Sequence, residues 1–221
     1  MVELGLTAPP GGRPLTVVAI GAHSDDIEIG CGATILRLAE SGLPLRLVWV
    51  VLSAGGARAD EAAESARAFL DGVESELRLA SFRDAFFPHD ESVKEFFEAL
   101  KRDVEPDLVL THARHDLHQD HRIVCELTWN TFRDHLLLEY EVPKYDGDLG
   151  SPNVFVPVEE RVARRKCELL MEHFATQRDK HWFTEDVFLG LMRLRGVESR
   201  SPTGYAEGFY GRKVRVGIAV G

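Results

Sequence analysis

Long hydrophobic runs are missing from these 221 residues. The longest, such as Leu47 to Leu52, are strand-sized and far short of the roughly 20 apolar residues that span a bilayer, which argues against a membrane protein. Cysteine is scarce: Cys31, Cys125 and Cys167 are an odd set in no metal-ligand spacing, so neither a disulfide framework nor a structural zinc knot is indicated, and a reducing compartment fits best. A basic excess is also absent. With 36 acidic against 26 basic residues the formal charge is −10, and Lys and Arg are scattered, the densest group running from Arg161 to Lys166. That pattern reads as the solvated face of a helix and disfavours nucleic acid as a partner. No repeat or low-complexity tract interrupts the chain. Met1 to Pro14, with Pro9, Pro10, Gly11 and Gly12, has neither a basic n-region nor an apolar h-region, so it reads as a flexible leader and the expected location is cytoplasmic.

What is present suits a single globular domain over residues 1–221. Apolar residues make up 44% and charged residues 28%, enough of each for a sizeable core under a solvated surface. Leu15 to Gly21 (LTVVAIG) is a continuous β-branched run, the mark of a strand buried on both faces. A helix is expected over Ala33 to Glu40, a strand over Pro44 to Ser53, a helix over Ala59 to Leu70 and a short strand over Glu76 to Phe82. An amphipathic helix over Ser92 to Val104, a strand over Asp107 to Thr111 and a helix over Ile123 to Phe132 follow. Strands alternating with helices predict a three-layer α/β fold of Rossmann-like order with a mostly parallel sheet. The C-terminal portion is less regular. It is expected to hold a strand to Tyr140, a strand over Asn153 to Val156, helices over Glu159 to His173 and Asp186 to Arg195, and closing strands around Phe209 and Val214.

In such a sheet ligands gather beyond the carboxyl ends of the strands, where strand order reverses. Two polar loops fall there. One is Gly21-Ala-His23-Ser-Asp25-Asp26 after the first strand; the other runs from Thr111 to His121 after the fourth and carries His112, His115, His118 and His121. A dinucleotide site fails at the first loop, because Gly21, Gly30 and Gly32 do not form G-x-G-x-x-G and paired carboxylates would repel a pyrophosphate. Carboxylates beside imidazoles describe a cation site with mixed O and N donors. His23 and Asp26, three apart at a turn into a helix, can converge on one ion and leave Asp25 to point elsewhere. From the second loop His118 and His121 are the best placed, with Asp120 between them to fix an imidazole tautomer. Taken singly, each residue is more readily a helix cap or a solvated polar group. His112 and His115 are read as loop residues or as support behind the ligands, His89, His135, His173 and His181 likewise, and Cys31 as packing at the helix start.

The run Ala22-His-Ser-Asp-Asp26 with Glu28, Gly30 and Gly32, together with Asp116-Leu-His118-Gln-Asp-His121, resembles the LmbE-like or PIG-L family of zinc-dependent N-deacetylases. Arg58-Ala-Asp-Glu61, Thr176-Gln177 and Tyr205-Ala-Glu-Gly-Phe209 also look like family features, whereas Ser24 and Ala33 depart from a usual proline and glycine. The resemblance implies one Zn2+ per chain held by His23, Asp26 and His121. It further implies Asp25 as general base, His118 as stabiliser of the oxyanion or proton donor to the leaving amine, Asp120 as the group orienting His118, and Arg58 on substrate hydroxyls. It makes residues 144–153 the expected substrate mouth. The implied reaction removes an acyl group from the nitrogen of an amino sugar, the substrate being a small N-acylated molecule. Another divalent metal and a homo-oligomer stay open. The rivals are a metal-dependent phosphoesterase and a non-catalytic sugar- or nucleotide-binding domain, for fold alone never settles function.

Overall fold

A computed structural model describes residues 2–215 and residue 217. Seven strands, β1 (Leu15–His23), β2 (Leu45–Ser53), β3 (Glu74–Leu79), β4 (Leu108–His112), β5 (Leu136–Tyr140), β6 (Val154–Val158) and β7 (Tyr205–Tyr210), form one sheet in the order β3-β2-β1-β4-β5-β7-β6. The first five run parallel; β7 is antiparallel to β5 and to β6. Six helices cover the sheet: α1 (Asp26–Glu40), α2 (Ala57–Phe69), α3 (Glu91–Asp103), α4 (Gln119–Thr131), α5 (Glu160–His173) and α6 (Glu185–Glu198). The expected Rossmann-like α/β architecture is therefore present, and the reversal of strand order falls between β1 and β4.

Alternation along β1 divides the core. Val17 and Ala19 join the apolar layer under α1, α2, α5 and α6, while Val18 and Ile20 join the layer under α3 and α4. Every residue of β1 is buried, which is why its sequence reads as an unbroken apolar run rather than an alternating one. Two expectations are corrected. Helix α1 begins at Asp26, seven residues earlier than the apolar pattern suggests, because its polar first turn is buried by the site. No strand forms at Val214, whose backbone is irregular; Arg212 instead lies 2.5 Å from the buried Glu139 carboxylate and covers Trp129. The leader carries a single helical turn at Pro10–Gly12 and is tied down where Arg13 forks onto Asp107 at 2.6 and 2.7 Å.

Helix α1 is broken once, at Cys31 (φ −144°). The break exposes the N–H groups of Ala33 and Thr34, and the Glu207 carboxylate from β7 accepts both, at 3.0 and 2.7 Å. Lys166 of α5 bonds the same carboxylate and the Ile29 carbonyl, each at 2.6 Å. Inside the break Gly30 is required sterically: a Cβ there would stand 2.0 Å from the Tyr140 ring. The family-like run around Glu207 thus acts on the backbone of the helix that starts at the site.

Candidate metal centre

Asp25 is the N-cap of α1, its carbonyl accepting from Ile29 N–H at 3.0 Å while its side chain makes no cap bond. The tight turn this creates brings Asp26 back beneath His23, whose backbone N–H donates to Asp26 Oδ2 at 2.7 Å. His121, in the first turn of α4, reaches the same point from the neighbouring strand end. His23 Nδ1 and His121 Nε2 lie 3.2 Å apart, and they stand 3.3 and 3.5 Å from Asp26 Oδ2.

The proton positions follow from what stands behind each ring. His121 Nδ1 faces Asp116 Oδ2 at 2.9 Å and His23 Nε2 faces Asp84 Oδ1 at 3.0 Å, with Asp120 Oδ2 at 3.5 Å. A carboxylate accepts only, so those outward nitrogens carry hydrogens, and the inward nitrogens are the positions a cation would occupy in exchange for a proton. Two ring nitrogens and one carboxylate oxygen then converge on one point. A tetrahedral zinc ion with bonds of about 2.0–2.1 Å places its ligands about 3.3–3.4 Å apart, and the three separations bracket that value. The donor set fits a divalent cation, and His118 offers a further ring nitrogen within reach of His23 and His121.

Electrostatics agree. Burial works against charge on His23, yet its hydrogen bonds with Asp120, Asp26 and Asp84 outweigh burial and hold its pKa well above the usual imidazole value, the behaviour of a site that wants a positive charge. Burial raises Asp26 too, but His121 and His112 overcome it and hold the carboxyl well below its ordinary range. Asp25 is different. Burial first, and then Asp26, push its carboxyl upward against the pull of Arg58 and His23.

Of the other expected residues, His118 brings its ring centroid to 4.9 Å from His23 and 4.6 Å from His121, and burial followed by those two neighbours lowers its pKa. Asp120 is buried but is not the partner of His118. It accepts the N–H of Ala85 at 2.7 Å and of Phe87 at 3.3 Å and faces His23. Its position on the first turn of α4 points it across to the 84–87 loop and toward the ring of His23. Arg58 donates to Asp25 Oδ1 at 2.9 Å and leaves its buried Nε without a partner.

Sequence reasoning gave no individual role to three neighbours, Asp84, Lys144 and Asp116. Asp84 is a lone carboxylate in a loop after β3, with no motif to mark it; the next residue, Ala85, has φ +66°, an uncommon conformation for a side chain other than glycine. His112, expected as a loop residue or as support behind the ligands, ends β4, is fully buried, stacks on His121 at 3.9 Å, accepts Ala22 N–H at 3.0 Å and lies 3.3 Å from Asp26 Oδ2. Its position as the last residue of β4, next to β1, was the available signal. Lys144 lies 3.0 Å from Asp116 and 2.5 Å from Asp148, joining the 144–150 loop to the carboxylate behind His121. Asp116 itself lay inside the quoted motif but had no role assigned. His115 is exposed against Tyr210 and takes no part in the centre.

Comparison with known proteins gives three kinds of likeness. The family described as PIG-L: GlcNAc-PI de-N-acetylase matches residues 18–132, a stretch from β1 through α4 that holds every residue of the centre. An "uncharacterized deacetylase", YaiS of Escherichia coli K12, is 31% identical over 170 residues, covering 71% of this chain and 89% of that protein. Among solved structures, the 4-carboxy-2-hydroxymuconate hydratase GalB of Pseudomonas putida KT2440 aligns with a TM-score of 0.75 at 18% identity, over 93% of this chain and 99% of its own. The N,N'-diacetylchitobiose deacetylase of Pyrococcus horikoshii aligns with a TM-score of 0.71 at 21% identity, over 90% and 84%. These two share the fold.

Proposed function

The chain belongs to the PIG-L family, and from that premise we propose that it is a zinc-dependent N-deacetylase acting on an N-acylated amino sugar or a closely related small molecule. The observation that supports this most is the convergence of His23 Nδ1, Asp26 Oδ2 and His121 Nε2, 3.2 to 3.5 Å apart. The fold does not choose the reaction, since a hydratase and a deacetylase share it. The family match, the deacetylase relative and the donor set all point one way.

His23, Asp26 and His121 would hold the ion. Zinc bound there lowers the pKa of a coordinated water from about 15.7 toward about 7 and polarises the amide carbonyl. Asp25, raised by burial and held by Arg58, accepts a proton from the attacking water. Because Arg58 is fastened to Asp25, a proton arriving there changes the charge the guanidinium faces and frees its donors for the sugar hydroxyls. His118, within reach of His23 and His121, would relay to the departing nitrogen the proton that Asp25 took from the water. Asp84 and Asp120 orient His23, and Asp116 orients His121. The products are a free amine and a carboxylic acid, acetate for an acetyl substrate. Three free, buried cysteines support a reducing, cytoplasmic setting, and among the described residues no helix is long and apolar enough to cross a membrane.

The test is to load the protein with zinc and incubate it with a panel of N-acetylated sugars, glycosides and nucleotide sugars, following amine and acetate release. Asp25→Asn should retain the metal and lose about 10²- to 10⁴-fold in kcat, the usual worth of a general base. Full activity in that variant removes Asp25 from the role.

A further inference from the structure

Helix α6 is apolar on both of its sides. Phe188 and Met192 face inward to the core, and Arg195 faces inward onto Glu141 at 2.7 and 2.9 Å. At about 100° per residue, Gly190 lies about 160–200° round the helix from Phe188 and Met192, which makes it the outermost position. Leu194 and Val197 stand on that outer side, 61% and 63% exposed, with Val187 and Leu191 half-buried beside them. A helix that is apolar all round is ordinarily a covered helix. Here the outer stripe faces solvent.

Two further features say what would cover it. Gly196, in the same helix, is required by packing, since a Cβ there would stand 2.2 Å from the Gly204 carbonyl oxygen. At Gly190 a Cβ would meet no atom within 4 Å. An interior glycine weakens a helix relative to alanine, and nothing in the single chain offsets that at Gly190. At the outer pole of a helix it allows the close approach of a second backbone. The charges beside the stripe are also self-complementary. Asp186 and Arg193 lie on one edge of it, four residues before Gly190 and three after. They stand about 10 Å apart along the axis, too far to pair with each other. Neither forms an ion pair among the described residues, Arg193 donating instead to the Gly204 carbonyl at 2.6 Å. A two-fold axis through Gly190 sets residues before the glycine on one copy opposite residues after it on the other. Asp186 and Val187 then meet Arg193 and Leu194, twice over.

We propose that the outer face of α6 is a homodimer interface, on which a second copy of this chain packs its own α6 antiparallel, the two helices crossing at Gly190. Val187, Leu191 and Leu194 supply the apolar contact, and the two Asp186–Arg193 pairs set direction and register. At 14 residues α6 is about 21 Å long, so the interface is small and the dimer belongs to the weak, micromolar class.

Sedimentation velocity on the full chain across the micromolar range tests this. The average mass should rise with concentration from 24.7 kDa toward twice that value. Gly190→Gln puts a better helix former into open space, so the single chain keeps its stability, yet the new side chain blocks the crossing. It should weaken the dimer at least about 10-fold in dissociation constant, as overpacking does. Asp186→Arg sets arginines together and should weaken it about 3- to 10-fold; adding Arg193→Asp should restore it, because the reversed charges meet again across the axis. Thermal unfolding of each variant at the lowest concentration separates lost pairing from lost fold. A chain that stays monomeric at every concentration overturns the proposal, and a monomer that instead binds phosphatidylcholine vesicles assigns the stripe to a lipid surface. An oligomer that Gly190→Gln leaves intact uses another face and overturns it too. Failure of the double charge reversal to restore association overturns the antiparallel pairing.

Discussion

Two buried charged clusters bear on the first half of α1, and they differ in how their acceptors are satisfied. At the break of the helix, Glu207 collects Lys166 and the N–H groups of Ala33 and Thr34, so both oxygens have donors within 3.0 Å. At its start, Asp26, His23 and His121 bring one carboxylate oxygen and two ring nitrogens within 3.2 to 3.5 Å of one another. Asp26 Oδ2 has the His23 backbone N–H as a donor, yet among the described residues no lysine or arginine reaches it as Lys166 reaches Glu207. The closed cluster shapes the backbone; the open one is where we propose a cation. Burial is alike in the two places, and what differs is the resident cation that one has and the other lacks.

The comparison can be broken most severely at the open cluster. Asp26→Ala removes the one carboxylate ligand and should abolish both zinc binding and hydrolysis, read as metal content by elemental analysis and as acetate release. Retention of one zinc per chain would move the site elsewhere. At the closed cluster Glu207→Ala should act on stability: it leaves the Lys166 ammonium buried with no counter-charge, at about 3–5 kcal/mol by the usual cost of breaking a buried pair. Denaturant unfolding of the metal-free chain measures this, and an undiminished midpoint would refute the assignment.

A smaller effect is expected where support meets ligand. Asp116→Asn weakens the bond that fixes His121 and should lower zinc affinity about 10- to 100-fold, by competition with a chromophoric chelator, without a matching loss of fold. The smallest concerns acid. The hydrogen bond with His23 lowers Asp84 to about 2 from its ordinary 3.8. A lowered carboxylate contributes its stability above the unfolded value and loses it as pH falls through the folded one, so the metal-free chain should lose this contribution between pH 3.8 and about 2. With a side chain 62% exposed, Asp84→Asn should cost less than about 1 kcal/mol at pH 6 and nothing below pH 2.

Much of the architecture was readable beforehand because the central strands are buried on both faces. Such strands have to be continuous apolar runs, and Leu15 to Gly21, Pro44 to Ser53 and Asp107 to Thr111 stand out against polar loops. Boundaries were harder where the site intruded. The polar first turn of α1 hid seven helical residues, and the irregular C-terminal part hid the antiparallel β7 between β5 and β6. His23, Asp26 and His121 were legible because they occur in compact motifs at predictable strand ends. Asp84 and Lys144 were not, each being one charged residue in a loop of its own.

The linear order of residues determined which strands would be central and which two loops would meet, since hydrophobic pattern sets the sheet and the sheet sets where its strand ends lie. It also determined the chemical type of the centre, because only carboxylates and imidazoles were offered there. Which ring each carboxylate supports was decided by the tertiary structure. Asp120 faces His23 instead of its sequence neighbour His118 because the first turn of α4 points it toward the 84–87 loop, and a side chain's direction belongs to its helix and not to its place in a motif. Tertiary structure alone also placed Glu207, 174 residues from Ala33, in the break of α1. Pairings at that separation follow from packing, on which local sequence is silent.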